Sequence, residues 1–144
     1  RYATIDDVSG VIELIQPLEE AGILVHRSRQ LLEQEIEQYT VIVRDGAIIA
    51  TAALHQFPNS TIAELACFVV DSRYRSQQKG ELLLSHIEQH AKSLGLDSLF
   101  VLTTHTAHWF LEHGFKEGDV EALPVERQLA YNYQRRSKVF VKSF

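Results

Sequence analysis

The sequence predicts a mixed α/β (α+β) fold, in which helices flank a mixed central sheet. Two β-rich segments are joined by an Asp-Gly pair, and further along a helical segment lies between two apolar strands. The chain has 144 residues, of which 45% are hydrophobic and 23% charged, which is typical of one globular domain. We therefore expect a single domain over residues 1–144. Because the chain begins at Arg1 and contains no methionine, we expect this domain to be the C-terminal part of a longer chain.

The first forty residues predict two amphipathic helices. A first helix follows the capping residue Thr4 and two early aspartates and is expected to end near Pro17. A second helix is expected after Ser28, preceded by the basic residues 26–29, which are well placed to face a ligand. The apolar positions that define the two helices are Val8, Val11, Ile12 and Ile15, then Leu31, Leu32 and Ile36.

The middle of the chain predicts three antiparallel strands. Residues 39–43 and 48–54 are rich in β-forming side chains and flank Asp45-Gly46, the strongest short hairpin signal. A turn at residues 58–60 leads into a third strand over residues 61–70. The three strands form a meander.

The remainder of the chain alternates helices and strands. A helix is expected from about Gly80 to Gly95, followed by a buried strand at residues 99–102. A short helix through Trp109 is expected to end at Gly114. Further strands are predicted at Phe115 and at residues 138–141, which completes the mixed sheet.

Composition and charge exclude several classes of protein. No apolar stretch reaches the roughly 20 residues of a membrane span, and no leader sequence is visible. The single cysteine, Cys67, forms no intrachain disulfide, so we expect a cytoplasmic protein. A net charge of −5 argues against nucleic acid as a partner, and no membrane partner is expected. The basic residues 134–138 are either a solvated edge strand or part of a binding site.

The segment between the third strand and the following helix has the features of a phosphate site. A loop that enters a helix presents backbone N–H groups and the positive end of the helix dipole. Arg75 and Lys79 add positive charge, and Gly80 allows close approach of the backbone. The predicted cofactor-binding residues are Phe68, Val69, Val70, Arg75, Ser76, Gln77, Gln78, Lys79 and Gly80.

This segment resembles the acetyl-CoA loop of the GNAT family of N-acetyltransferases, whose pattern is Arg/Gln-x-x-Gly-x-Gly/Ala. Arg75 and Gly80 match the pattern, whereas Gln78 replaces the first glycine. The order of elements also matches, and residues 109–115 resemble the family's Tyr-x-x-x-Gly-Phe helix end, with Phe110 in place of the tyrosine. The resemblance implies the GNAT fold and acetyl-CoA as cosubstrate. The absent tyrosine is the family's usual acid for the departing thiolate.

Within the family, the chain resembles the N-acetylglutamate synthases over nearly its whole length. The matching segments are residues 22–29, 64–67, 102–104 with 108–110, and 131–139. The resemblance implies acetyl transfer to the α-amino group of L-glutamate, the first step of arginine biosynthesis, and a homo-oligomer in the longer protein. It places Arg27, Cys67, Arg135 and Ser137 at the glutamate. The alternatives are a GNAT enzyme for another small amino acid or amine, and a catalytically silent module that binds acetyl-CoA.

Acetyl transfer to an amine needs a proton acceptor and a proton donor. Glu64, just before the segment expected to carry the thioester, is the candidate acceptor, and its alternative role is an exposed strand residue. Thr103 and Thr104 end the next strand and offer hydroxyls to the leaving thiolate. We expect direct transfer in a ternary complex rather than an acyl-cysteine at Cys67, because the cysteine has no evident base.

The histidines raise the question of a metal site. His86 and His90 have the spacing of a metal pair, but the chain lacks the His-Glu-x-x-His pattern of zinc proteases. No metal site is therefore expected. His105, His108 and His113 follow the candidate threonines, and His108 either polarises a substrate group or is an ordinary surface residue.

Overall fold

The computed structural model describes residues 1–103, 107–119, 121, 123–124, 127–128 and 138–144. Short 3₁₀ turns lie at Ile5–Asp7, Ile36–Gln38 and Ser72–Gln77. The helices within the described ranges are α1 (Val8–Glu20), α2 (Arg29–Glu35), α3 (Lys79–Ser93) and α4 (Ala107–Glu112). The strands there are β1 (Tyr39–Arg44), β2 (Ala47–His55), β3 (Ile62–Val70), β4 (Ser98–Thr103), β5 (Lys116–Gly118) and β6 (Lys138–Ser143).

The strands form a mixed sheet with the order β1-β2-β3-β4-β6-β5. The β1–β2, β4–β6 and β5–β6 pairs are antiparallel, whereas β3 and β4 pair in parallel over Ile62, Ala63 and Glu64. Because the β3–β4 crossover contains a helix, this parallel pairing follows the usual β-helix-β rule. The predicted mixed α/β fold is confirmed.

By its contacts the chain divides into two compact units. Unit 1 comprises Arg1–Leu54 and Cys67–Gln89, and unit 2 comprises His55–Ala66 and His90–Phe144. Strand β3 therefore contributes its first part to unit 2 and its last four residues to unit 1. The prediction of a single domain stays a prediction.

In unit 1 the predicted hairpin is confirmed. Asp45 and Gly46 have φ values of 52° and 79°, the left-handed conformation that a type I′ turn requires at both positions. The start of α2 is also as predicted, because the Ser28 hydroxyl accepts the Leu31 N–H at 3.1 Å. The apolar faces of the elements are buried, as shown by Val8, Val11, Ile15, Leu32, Tyr39 and Val41.

The predicted end of α1 near Pro17 is wrong, because the helix continues to Glu20. A proline within a helix removes one N–H donor and crowds the preceding turn. Its carbonyl remains available, and Pro17 O accepts the Ala21 N–H at 3.1 Å. Gly22, at φ 76°, follows and ends the helix in the left-handed conformation typical of a C-terminal glycine.

In unit 2 the core forms around β4. Phe100 is fully buried, contacts Leu123 and Val139, and stacks on Phe57 with ring centroids 6.0 Å apart. After α4, Gly114 at φ 92° reverses the chain, and Phe115 packs against Phe110 at 5.2 Å. The strands predicted at the end of the chain are present as β5 and β6.

None of the described helices is long and apolar enough to cross a membrane. The location of the protein in the cell stays a prediction.

Candidate functional site

In unit 1, the loop between β3 and α3 is held in shape by Asp71. Its carboxylate accepts the Arg73 N–H at 2.9 Å and pairs with the Arg73 guanidinium at 3.0 Å, and its carbonyl accepts the Tyr74 N–H at 2.8 Å. The hydrogen bond from the Arg73 side chain holds the pKa of Asp71 below its usual value. The positive charge of Arg73 is thus neutralised by Asp71 within the loop. These contacts fix the conformation of the loop where it leads to α3.

Gln78 lies between this turn and α3 in the left-handed conformation, with φ 60° and ψ 26°. It occupies the position of the first glycine in the GNAT pattern, so the chain keeps the backbone conformation that favours glycine although the side chain differs. A residue with a side chain is disfavoured there by about 1–2 kcal/mol. Gly80, the other glycine position of the pattern, is buried in the first turn of α3.

The positive side chains of the loop come from two elements. Arg75 is exposed, and its Nε lies 3.4 Å from the Val70 carbonyl oxygen. Arg44, at the end of β1, donates to Gln77 Oε1 at 3.2 Å and lies over the Tyr74 ring at 5.7 Å. No local pattern points to Arg44, since 33 residues separate it from Gln77. Together with the N–H groups of the first helical turn, such cations can bind a pyrophosphate.

The other predicted cofactor residues frame the same loop. Lys79 begins α3 and is half-buried. Val69 is buried in β3, and Phe68 and Val70 on either side of it are half-buried. The Ser76 side chain lies outside the described part of the chain.

Cys67 has φ 53° although it lies inside β3, and it is 5% exposed. A non-glycine residue in this region is strained, and such strain is found mostly at functional sites. The Cys67 conformation interrupts the alternation of buried and exposed side chains along β3, as a β-bulge does. The five residues from Ala63 to Cys67 are accordingly all buried. Burial raises the pKa of the Cys67 thiol, opposed in part by the Arg27 guanidinium. A protonated thiol is a poor nucleophile, which argues against an acyl-cysteine.

Arg27 and Cys67, both predicted to bind substrate, are electrostatically coupled in unit 1, and the Cys67 side chain interacts with Tyr39. Burial raises the pKa of the Tyr39 hydroxyl, the Cys67 thiol adds to the rise, and the Arg27 guanidinium opposes it. The guanidinium therefore acts on both side chains. Tyr39 was not predicted as a site residue, because a buried tyrosine at the start of a strand looks like an ordinary core residue.

In unit 2, Glu64 is 8% exposed, so its alternative role as an exposed strand residue is wrong. Arg127 Nε donates to Glu64 Oε1 at 2.7 Å, and Arg127 Nη2 lies 3.4 Å from Oε2. The two nitrogens fix the plane of the carboxylate. Arg127 was not predicted, since 63 residues separate it from Glu64 and no local pattern links them.

The remaining candidates of unit 2 are less informative. Thr103 is half-buried at the end of β4, opposite Lys138. The His108 side chain is 87% exposed and contacts Glu112 at 2.7 Å, as an ordinary surface histidine would. Within the described ranges no group of three His, Cys, Asp or Glu side chains is arranged to hold a metal ion. Thr104, His105, Arg135 and Ser137 lie outside the described residues.

The chain is similar in sequence to amino-acid acetyltransferases. An amino-acid acetyltransferase of Azotobacter vinelandii is 57% identical over 143 residues, which are 99% of this chain and 33% of that protein. An amino-acid acetyltransferase of Mannheimia succiniciproducens is 54% identical over 142 residues, or 99% of this chain and 32% of that protein. The chain thus spans about a third of the length of the curated relatives it matches.

Solved structures show the same likeness. The N-acetylglutamate synthase of Neisseria gonorrhoeae, complexed with coenzyme A and N-acetyl-glutamate, superposes with a TM-score of 0.95 at 38% identity, over 99% of this chain and 34% of that one. Residues 9–115 match the acetyltransferase (GNAT) family. The chain, with the loop, strand order and helix end described above, belongs to the GNAT family of acetyltransferases.

Proposed function

We propose that the chain is an amino-acid N-acetyltransferase domain that transfers the acetyl group of acetyl-CoA to the α-amino group of L-glutamate. The observation that carries the proposal is the likeness, over 99% of the chain, to an N-acetylglutamate synthase bound to coenzyme A and N-acetyl-glutamate. The reaction is the first step of arginine biosynthesis. The homo-oligomer in the longer protein and the cytoplasmic location remain part of the same set of predictions.

The loop before α3 fits the pyrophosphate of acetyl-CoA. A helix of fifteen residues begins at Lys79, so its N-terminal end carries partial positive charge, and a second cation, Arg75, precedes it by four residues. Gly80 is buried there, so a larger side chain would compete with a ligand for space. Acetyl-CoA supplies a thioester, whose carbonyl carbon is the electrophile.

Recognition of glutamate requires positive charge, because the amino acid brings two carboxylates. Burying a carboxylate without a partner costs several kcal/mol of binding free energy. Removing one partner of a desolvated ion pair typically costs roughly 2–5 kcal/mol. Arg27 beside Cys67 supplies one cation in unit 1. The resemblance to N-acetylglutamate synthases adds Arg135 and Ser137. This set favours glutamate over glutamine, which lacks the second charge.

Direct transfer removes two protons from the ammonium nitrogen and delivers one proton to the thiolate. Glu64 takes the first, directly or through water, and Arg127 holds its carboxylate in orientation. The neutral amine then attacks the thioester carbonyl. As the carbon–sulfur bond breaks and the amide forms, the nitrogen releases its second proton, which balances the proton taken up by the thiolate. The hydroxyl of Thr103 or Thr104 donates to the departing sulfur, since Phe110 has no hydroxyl.

The test is to incubate the 144-residue chain with acetyl-CoA and each proteinogenic amino acid in turn, following release of the coenzyme A thiol. Mass spectrometry of the product locates the acetyl group. We expect release with glutamate, with the acetyl group on the α-nitrogen. Release with a different amino acid or amine would show another acceptor, and binding of acetyl-CoA without any release would show a silent module.

A further inference from the structure

Glu19, in the last turn of α1, holds the main chain of Arg27. The Glu19 side chain is 9% exposed, and its Oε2 accepts the Arg27 N–H at 2.7 Å. Its Oε1 lies 3.4 Å from Nδ1 of His26. A carboxylate that accepts a backbone N–H forms a charge-assisted bond, about twice as strong as a neutral one. The carboxylate thus contacts two successive residues of the loop before α2.

The position of Glu19 is unfavourable for the helix itself. The C-terminal end of a helix carries partial negative charge, so a carboxylate in the last turn is repelled by it. Helix propensity therefore does not explain a glutamate here, whereas its contacts with the loop do. A residue that breaks a local rule and gains a specific contact marks a functional position.

Further hydrogen bonds hold the loop between α1 and α2 next to the Glu19–Arg27 contact. Ile23 N–H donates to the Leu18 carbonyl at 2.9 Å, and Gly22 N–H donates to the Glu19 carbonyl at 3.1 Å. On the far side of Arg27, the Ser28 hydroxyl caps α2. The main chain of Arg27 is therefore held on both sides, by the end of one helix and the start of the next.

The charges of Glu19 and Arg27 act on the same buried side chain, Cys67. Burial raises the pKa of the Cys67 thiol, the Arg27 guanidinium opposes the rise, and the Glu19 carboxylate adds to it. Glu19 uses its oxygen on the backbone N–H of Arg27.

We propose that Glu19 is a positioning residue for the amino-acid substrate, which fixes the Arg27 main chain so that the guanidinium meets a substrate carboxylate. The inference rests on the proposed function, since it assigns a role within substrate recognition. Glu19 acts through Arg27 and does not touch the reacting atoms.

The first test compares the kinetics of Glu19→Ala, Glu19→Gln and the control Glu20→Ala, which removes the neighbouring, exposed carboxylate. We expect Glu19→Ala to raise the KM for glutamate about tenfold, the lower end of what a hydrogen bond to a charged group contributes. The kcat and the affinity for acetyl-CoA should stay within about twofold of wild type. Glu19→Gln should recover part of the loss, because its amide oxygen still accepts the Arg27 N–H.

The second test is independent of activity. Hydrogen exchange of the Arg27 amide should be slow in wild type, fast in Glu19→Ala and intermediate in Glu19→Gln, with the melting temperature measured alongside. Unchanged Arg27 exchange in folded Glu19→Ala overturns the contact, and an unchanged KM with altered exchange overturns the role in recognition. Equal losses for acetyl-CoA and glutamate would also overturn it. If the wild-type chain acetylates a different amino acid, only the glutamate assignment fails, and the KM comparison is made with that acceptor.

Discussion

At the scale of single residues, the contacts of Glu64 support its proposed role as the base of acetyl transfer. Two nitrogens of Arg127 contact the two carboxylate oxygens of Glu64 and so fix the plane of the carboxylate. The orientation in which the carboxylate can accept a proton is therefore fixed as well. A base held in one orientation needs no reorganisation when the proton arrives. The proposed catalytic role of Glu64 can be tested apart from its structural role by a substitution that keeps the shape of the side chain.

We expect Glu64→Gln to lower kcat by about 10²–10⁴-fold, the usual contribution of a general base, with the KM for glutamate nearly unchanged. The amide keeps the shape of the side chain and still accepts a bond from Arg127. Steady-state kinetics of the variant measure the change, and Glu117→Gln on β5, an exposed strand carboxylate, is the control. Near-normal turnover in a folded Glu64→Gln would show that bulk solvent removes the proton.

The left-handed conformation of Gln78 leads to a stability prediction. Glycine at this position removes about 1–2 kcal/mol of strain but costs about 0.5–1 kcal/mol through the greater freedom of the unfolded chain. Thermal unfolding should therefore show Gln78→Gly at or slightly above wild type and Gln78→Val clearly below it, since a β-branched residue tolerates positive φ least. Gln77→Gly, within the 3₁₀ turn, should be destabilising. A Gln78→Gly variant well below wild type would mean that the side chain of Gln78 itself stabilises the loop.

At the scale of secondary-structure elements, the sequence predicted what local rules control. The hairpin followed from Asp45-Gly46, the start of α2 from Ser28 and the ends of later elements from Gly95 and Gly114, because each depends on a backbone conformation that one residue type favours. The predicted end of α1 was wrong, because the Pro17 carbonyl still accepts a hydrogen bond from the Ala21 N–H and the helix extends to Glu20.

The contacts that shape the candidate site could not be predicted in this way. Arg127 meets Glu64 across 63 residues, and Arg44 meets Gln77 across 33. Glu64 can be predicted because acetyl transfer to an amine needs a proton acceptor, and Arg27 can be predicted from the resemblance to N-acetylglutamate synthases. Their partners Arg127 and Glu19 needed the tertiary structure, because side-chain pairing at long range leaves no periodicity in the sequence.

The start of α1 has a pH-dependent element at Asp7. Hydrogen bonds from the Arg1 side chain, at 2.8 and 3.1 Å, lower the pKa of Asp7 to about 2 from an ordinary value of 3.8. Asp7 also accepts the Thr4 N–H at 2.8 Å. Because the folded pKa lies below the unfolded one, the ionised carboxylate stabilises the fold above about pH 3.8, and this contribution is lost as the pH falls towards 2.

We therefore expect Asp7→Asn to be less stable than wild type near neutral pH, with the difference disappearing towards pH 2. Urea unfolding over a pH series measures it, and Asp6→Asn, on an exposed neighbour, is the control. A difference between wild type and Asp7→Asn that does not change with pH would contradict the pairing with Arg1.

At the scale of the whole molecule, strand β3 carries the buried Glu64 in unit 2, and its last residues in unit 1 lead into the loop that is proposed to bind acetyl-CoA. Strand β3 carries both Glu64 and the strained Cys67, three positions apart. A net charge of −5 does not favour anionic ligands, so the proposed binding of acetyl-CoA and glutamate requires cations placed locally, and Arg75 and Arg27 are the proposed ones. The proposed function therefore requires specificity for an amino acid with two carboxylates.

That claim is tested most directly by the ratio of kcat/KM for glutamate to kcat/KM for glutamine in the unmutated chain. The two amino acids have nearly the same shape, so only charge separates them. We expect glutamate to be favoured by about a hundredfold or more, because glutamine leaves desolvated guanidinium groups without full compensation. Equal values of kcat/KM for the two amino acids would contradict the account.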